Sequence, residues 1–249
     1  MSRYERGYRK RLPQLFEQAT EIICVSQSWR ERVIELGCPA EKARTNYLGI
    51  DLSFFDGVRG KVDPLRIIFV GRLVRRKGVR TLLEAMHLLR SRGVMATLTV
   101  IGEGAEMEPL RALATEKNLP VQFLGKKKPV EIRELLRDAA VLCAPSMTQG
   151  GEVPEALGLV LLEAEAMGVP VVGTRNGGIP ETLEDGKTGF LVNEELPVEL
   201  AEALEKLLGN EAVNREFGER ARTFVCERFE IGRCYSHLEA MYDEILSRG

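Results

Sequence analysis

Hydrophobic positions along most of this chain follow two periods, and the two periods take turns. Residues 66–70, RIIFV, form a continuous apolar run just after Pro64, the pattern of a strand buried on both faces of a parallel sheet. Val79, Leu82, Leu83, Met86 and Leu89 then recur at helical spacing. The same logic predicts strands at TLTVI (97–101), VQFLG (121–125), AAVLCAP (139–145) and VPVVGT (169–174), and a shorter last strand at 189–192. Helices are expected between them at 105–117, 129–138 and 155–167. Amphipathic helices are expected at 198–208 and 211–226, and a tail helix at 231–246 with Tyr235, Leu238, Met241, Tyr242 and Ile245 on one side. Strands alternating with helices predict an α/β fold with a doubly wound parallel sheet.

The first 50 residues read differently. EIICVS (21–26) predicts a strand, SQSWRERVIELG (26–37) a helix closed by Gly37, and KARTNYLGID (42–51) a further extended piece. The turn-rich, charged stretch DGVRGKVDP (56–64) is the best linker candidate. Apolar positions in this part, among them Ile22, Ile23, Val25, Val33, Ile34 and Leu36, need cover. It is expected from a neighbouring copy or from residues 229–249, the alternative being partial disorder.

Composition narrows the function classes. The 249 residues are 44% hydrophobic and 29% charged, with a formal net charge of −2, which argues against intrinsic disorder, nucleic acid and an anionic membrane as the main partner. With 6% aromatics and a single tryptophan, Trp29, a carbohydrate-binding module built on aromatic platforms is a poor fit. Cys24, Cys38, Cys143, Cys226 and Cys234 are odd in number and form no Cys-x-x-Cys, so they read as reduced thiols in a cytoplasmic protein. The basic, polar N-terminus has no apolar core of a signal peptide, and no run of about 18 apolar residues exists. Tyr4, Arg6, Arg9, Lys10 and Arg11 allow at most a peripheral membrane contact, and a solvated helix face is the simpler reading.

In an open α/β sheet, ligands sit where the strands end. After RIIFV comes Gly71-Arg72-Leu73-Val74-Arg75-Arg76-Lys77-Gly78, which opens into a helix. Glycine lets a ligand approach the backbone, and cations at a helix N-terminus suit phosphate; the alternative is a solvated basic loop. Gly102-Glu103-Gly104 after the next strand is better read as a tight turn, with close ligand approach as the minority alternative. After AAVLCAP, the polar loop 146–154 leads to Glu155 and, eight residues on, Glu163. On an apolar helix Glu163 needs a partner, and sugar or ribose hydroxyls would serve. Glu155 has the competing reading of a carboxylate at the positive end of a helix. Asn176-Gly177-Gly178-Ile179-Pro180-Glu181 and Asp185-Gly186-Lys187 read as turns. The two histidines, His87 and His237, lie in predicted helices away from any triad or metal-ligand spacing.

The ordered set of motifs resembles the donor-binding half of the family 4 retaining glycosyltransferases of GT-B architecture. It consists of Val70-Gly71-Arg72-Leu73 with Lys77-Gly78, Ile101-Gly102-Glu103-Gly104, Phe123-Leu124-Gly125, Ala144-Pro145-Ser146, the pair Glu155 and Glu163 in E-x7-E spacing, Gly177 to Glu181, and Gly186 to Val192. The loop from Pro145 to Glu155 is most similar to exopolysaccharide or colanic-acid-type members. The resemblance implies a Rossmann-like donor domain at 53–228. It further implies a remnant of the preceding acceptor-side domain at 1–52 and a C-terminal crossing helix at 229–249.

It also implies roles. Arg72 and Lys77 would clasp the diphosphate of a nucleoside diphosphate sugar, with the backbone of Gly71 and Gly102 close by. Gly158, Leu159 and Val160 would meet the same phosphates from a helix N-terminus. Glu155 would hold the donor sugar and, with Arg72 and Lys77, serve catalysis, and Glu163 would hold the ribose. The base would lie near Leu124, Gly125, Lys126 and Pro145. Lys126-Lys127-Lys128 departs from the family pattern and leaves the base open. No metal and no cofactor is implied beyond the nucleotide sugar as substrate. The activity implied is transfer of a sugar, with retention, to an acceptor hydroxyl, in polysaccharide or glycoconjugate synthesis. The alternative is a nucleotide-sugar-binding or regulatory subunit, inactive without a partner chain that carries the acceptor site; a homodimer is the other partnership expected. An epimerase or phosphorylase ranks last, since neither its acid-and-histidine set nor its cofactor lysine is found.

Overall fold

A strand that is apolar at every position must sit where both faces of a sheet are covered, and 139–144 occupies that place. The computed structural model describes residues 10–55, 59–149 and 153–248; Tyr4, Arg6 and Arg9, residues 56–58 of the linker and 150–152 of the polar loop lie outside them. In chain order the elements are α1 (Leu12–Gln18), β1 (Ile22–Cys24), α2 (Gln27–Glu35), β2 (Ala43–Thr45), β3 (Asp63–Val70), α3 (Val79–Ser91), β4 (Thr97–Ile101), α4 (Met107–Glu116), β5 (Val121–Phe123), α5 (Pro129–Arg137), β6 (Ala139–Ala144), α6 (Leu159–Ala166), β7 (Val171–Thr174), β8 (Gly189–Val192), α7 (Pro197–Leu207), α8 (Glu211–Arg228) and α9 (Ile231–Ser247).

Strands β3 to β8 form a parallel six-stranded sheet in the order β5-β4-β3-β6-β7-β8. The chain winds outward from β3 in one direction, returns, and winds outward from β6 in the other. The reversal between β3 and β6 opens a crevice at their carboxyl ends. Alternation along the strands divides the core. Ile67, Phe69, Val141 and Cys143 pack with α3, α4 and α7; Ile68, Leu142 and Val171 pack with α5, α6 and α8. β3 begins earlier than the apolar run that announced it and contains Pro64. A central strand tolerates that proline because its pairing with β6 is irregular between Asp63 and Ile67.

β1 and β2 form a separate two-stranded parallel sheet, Ile22 opposite Ala43. The extended piece expected at 42–51 is a strand only over Ala43–Thr45. Part of the missing cover comes from α1: Leu12 and Phe16 pack with Ile22, Val33, Ile34, Leu36, Cys38 and Ala43. The tail helix α9 is bonded to the same unit. The Ile50 amide donates to the Phe229 carbonyl and the Ile231 amide to the Ile50 carbonyl. Arg44 pairs with Glu244 (2.7 Å) and Glu21 (3.5 Å), and Arg248 with Glu21 (3.3 Å). His237 Nδ1 lies 2.9 Å from Asn46 Oδ1. The expected apolar side of α9 is corrected: Met241 and Cys234 are buried, whereas Tyr235 and Tyr242 are 58% and 55% exposed. Their phenol tips let them stand in water while Cys234 takes the inward position. The five cysteines are free thiols. Among the described residues no helix is long and apolar enough to cross a membrane.

Glu165, on α6, is fully buried; no hydrogen bond of ordinary geometry reaches its carboxyl oxygens among the described residues, and the nearby Thr188 hydroxyl offsets only part of the cost of burial. Burial drives its pKa well above the ordinary 4.5. The unfolded chain therefore releases this proton at lower pH than the folded one, and stability falls as pH rises past the unfolded value. Glu165→Gln should flatten that fall, leaving stability unchanged near pH 4 and raising the urea midpoint near pH 8.

Gly78 closes the turn from β3 into α3 with φ +70°, and a Cβ there would stand 1.8 Å from the Pro145 carbonyl oxygen. Gly37 has φ +100° but open space around it. Gly78→Ala should therefore cost about 2–4 kcal/mol, against about 1 kcal/mol for Gly37→Ala, read from urea midpoints.

Candidate functional site

Because the strands are parallel, their exit loops gather on one edge of the sheet. Gly71 and Arg72 leave β3, Gly102 leaves β4, Leu124 to Lys126 leave β5, and Pro145 leaves β6. Backbone bonds staple three of these exits together: the Gly71 amide donates to the Ile101 carbonyl (3.0 Å) and the Gly102 amide to the Gly125 carbonyl (2.8 Å). A Cβ on Gly102 would meet the Gly71 carbonyl, and one on Gly104 the Leu73 carbonyl. The tight-turn reading of this pair therefore describes the geometry: the glycines face neighbouring backbone.

The β3 exit loop is pinned by buried Leu73, whose amide donates to the Glu103 carbonyl (2.8 Å) and whose carbonyl accepts from the Glu106 amide (2.9 Å). Arg72 remains exposed beside it. Arg72, Arg75 and Arg76 have no ion-pair partner among the described residues, whereas Lys77 pairs with Glu155. The two side chains of that pair are 18% and 17% exposed. Ser146 Oγ donates to the same Glu155 oxygen, Oε2, at 3.2 Å. Burial alone would raise the Glu155 carboxyl; the Lys77 bond and charge, with Arg76 and Ser146, outweigh it, and the net shift is downward. Glu155 is thus a charged acceptor whose Oε1 has no partner among the described residues.

One sequence expectation is corrected here. The helix predicted from 155 begins at Leu159, behind Gly158 at φ +98°. Glu155 lies ahead of α6 and owes its charge to Lys77, so the helix-dipole reading does not explain it. A buried amide holds this segment: the Glu155 N–H donates to Asn176 Oδ1 (2.8 Å), while Asn176 Nδ2 donates to Thr148 Oγ1 (2.9 Å) and Glu194 Oε1 (2.6 Å). The sequence reading missed Asn176, Thr148 and Glu194 as supports, having taken Asn-Gly-Gly as a turn alone. The available signal was polarity between two apolar strands, since a buried amide must find partners.

The N-terminus of α6 is capped by no side chain. Leu159, at its first position, is exposed, and Val160 is half-buried. Glu163, one turn further, has no hydrogen-bond or ion-pair partner among the described residues, and burial lifts its pKa to about 7. On the β5 side, Leu124 is half-buried and Lys126 exposed, with the Lys126 amide 3.4 Å from Glu103 Oε1. Pro145 is buried against Gly78. Of the expected site side chains, the structure brings Lys77 and Glu155 into contact; Arg72, Lys126 and Glu163 make no polar contact with the others. No group of three His, Cys, Asp or Glu among the described residues could hold a metal ion.

The family model for glycosyl transferases group 1 matches residues 54–224. AmsK, an amylovoran biosynthesis glycosyltransferase of Erwinia amylovora, is 34% identical over 209 residues, covering 82% of this chain and 51% of AmsK. An Escherichia coli K12 protein whose name proposes a colanic acid biosynthesis glycosyltransferase, WcaL, is 35% identical over 201 residues, covering 79% of this chain and 50% of that protein. The chain thus spans about half the length of these relatives. Anabaena HepE, solved with UDP and glucose, superposes with a TM-score of 0.82 at 21% identity over 95% of this chain and 67% of HepE, a likeness of GT-B fold. On the family match and the identity to AmsK and WcaL, this chain belongs to the glycosyl transferases of group 1.

Proposed function

We propose that this chain is the donor-binding half of a retaining glycosyltransferase that takes a nucleoside diphosphate sugar in the crevice between β3 and β6. The observation that carries the reading is the contrast between two carboxyl groups on one loop–helix unit. Glu155 is charged, paired and has Oε1 free; Glu163 is half-buried with nothing to bond. A ligand with two separated sets of hydroxyls, one on a sugar and one on a ribose, satisfies both, and a diphosphate between them meets Arg72 and Lys77 and the uncapped start of α6 at Gly158, Leu159 and Val160. Leu124, Gly125, Lys126 and Pro145 border the base.

During transfer the bond from the sugar's anomeric carbon to the diphosphate breaks, and its electron pair stays on the phosphate oxygen. Negative charge therefore grows where Arg72 and the remaining N–H donors of Lys77 are held in advance, which lowers the barrier. The anomeric carbon bonds to an acceptor oxygen, whose proton passes to the departing phosphate oxygen. Residues 10–52 and α9 fit a piece of the acceptor-side domain with a returning helix. The acceptor site itself would come from elsewhere, either further chain or a partner, which keeps the second reading of a binding subunit inactive by itself. The names of AmsK and WcaL favour a growing polysaccharide as acceptor. A thermal-shift panel of UDP, GDP and ADP with their sugars tests the class, since a ligand of the folded state raises apparent stability; no shift with any of them refutes it.

Arg72→Ala should leave stability unchanged, because Arg72 is exposed and unpaired, yet weaken UDP about tenfold or more while uridine stays within about twofold. Lys77→Ala should weaken UDP likewise but, unlike Arg72→Ala, also cost about 1–3 kcal/mol of stability, because it strands the Glu155 carboxylate. Calorimetry with the two ligands and urea melts separates the effects.

Ribose hydroxyls donate to a carboxylate, so binding favours charged Glu163 and expels its proton. Affinity for UDP-glucose, whose phosphates do not titrate near neutrality, should rise as pH climbs toward about 7 and level off above it. Glu163→Gln should bind more weakly with no such slope, measured by calorimetry across pH.

A further inference from the structure

Helix α2 starts far from the crevice in sequence, yet its first turn is closed by a residue of a crevice loop. The first N–H groups of a helix have no partner within it. Ser26 Oγ accepts one, from Trp29, at 3.2 Å. The next two go to Glu181: the Gln27 amide donates to Oε2 at 2.7 Å and the Ser28 amide to Oε1 at 2.9 Å. The Tyr47 hydroxyl adds a third donor, to Oε2 at 2.8 Å, and burial together with this bond pushes the Tyr47 pKa to about 12. Every hydrogen bond of the Glu181 carboxylate is thus made to residues 27–47, although Glu181 itself sits in the short 3-10 turn Ile179–Glu181 after β7.

The other side of that turn belongs to the crevice. The Gly178 amide donates to the Glu155 carbonyl (2.9 Å), and Asn176 Oδ1 accepts from the Glu155 amide (2.8 Å). Ile179 is fully buried, and its Cγ1 would stand 3.3 Å from a Cβ on Gly158, the residue that starts α6. Six residues, 176–181, therefore hold Glu155 and the start of α6 at one end and the start of α2 at the other.

We infer that Glu181 is a positioning residue that couples occupancy of the crevice to the placement of the β1–β2 unit. It touches neither the proposed ligand nor the reacting atoms; it acts through the backbone of the 176–181 turn, which a ligand on Glu155 and α6 tightens. A simple helix cap would need no such route, since Ser26 already caps α2 from within its own segment. The inference rests on the nucleotide reading of the crevice.

The test uses the 249-residue chain with UDP as probe. Amide hydrogen exchange at Gln27 and Ser28 is followed with and without saturating UDP, and UDP affinity is measured by calorimetry, for the parent, Glu181→Gln and Tyr47→Phe. Coupling between two sites is reciprocal. UDP should slow exchange of both amides in the parent by about fivefold or more and leave it unchanged in Glu181→Gln, whose UDP affinity should fall by the same factor. Tyr47→Phe, which keeps the helix cap, should show the effect reduced, and carries the test if Glu181→Gln does not fold. UDP binding that leaves the exchange of Gln27 and Ser28 untouched overturns the coupling and reduces Glu181 to a cap. Where GDP or ADP binds in place of UDP, it serves as the probe; a parent chain that binds none of the three overturns the nucleotide reading, and the coupling with it.

Discussion

A half-buried carboxylate stays charged only beside a cation, and the Lys77–Glu155 pair supplies that condition where two strand exits meet. Lys77 belongs to the loop after β3 and Glu155 to the segment that precedes α6, so the pair ties the two sides of the sheet's winding reversal. Around it, Pro145 rests on Gly78, Ser146 bonds the same carboxylate oxygen, and Asn176 holds the Glu155 backbone. Each of these contacts places a polar group that the crevice presents outward. Such a pair contributes less to net stability than to the shape it enforces, because desolvating two charges offsets much of their attraction.

Much of this was legible in the chain. β6 and β7 were readable because strands buried on both faces leave an apolar signature, and α3 because its stripe of Val79, Leu82, Leu83, Met86 and Leu89 faces a single core. The exit loops followed from the rule that parallel strands end on one edge. What stayed hidden depended on tertiary partners. The residues from Glu155 to Gly158 look helical in sequence, but Gly158 adopts a left-handed conformation and Asn176 takes the Glu155 amide, so the helix starts four residues late. Asn176, Glu181 and Glu194 are ordinary turn or surface residues until distant segments are brought against them. Tyr235 and Tyr242 satisfied the helical period of α9 without being buried, because periodicity reports a face and not what covers it.

The β1–β2 unit follows a different physical rule from the larger sheet. Two short strands make too little core to stand alone. This unit draws on α1 for apolar cover, on α9 for the ion pairs of Glu21, Arg44, Glu244 and Arg248, and on Glu181 for the start of α2. Charged and hydrogen-bonded contacts thus do here what side-chain packing does around β6. They are sensitive to direction and ionic strength, and suit a junction that adjusts more than one that is fixed.

The three arginines that form no ion pair among the described residues, Arg72, Arg75 and Arg76, have a consequence of another kind. The chain as a whole carries a slight negative charge, so the basic loop is a local inversion of the surrounding field. Unpaired guanidinium groups grouped within five residues attract multivalent anions from solution before any shape is recognised, and that attraction decays over about 8 Å in physiological salt. Phosphate or sulfate buffers would therefore compete for the same loop with the phosphorylated ligand proposed for it.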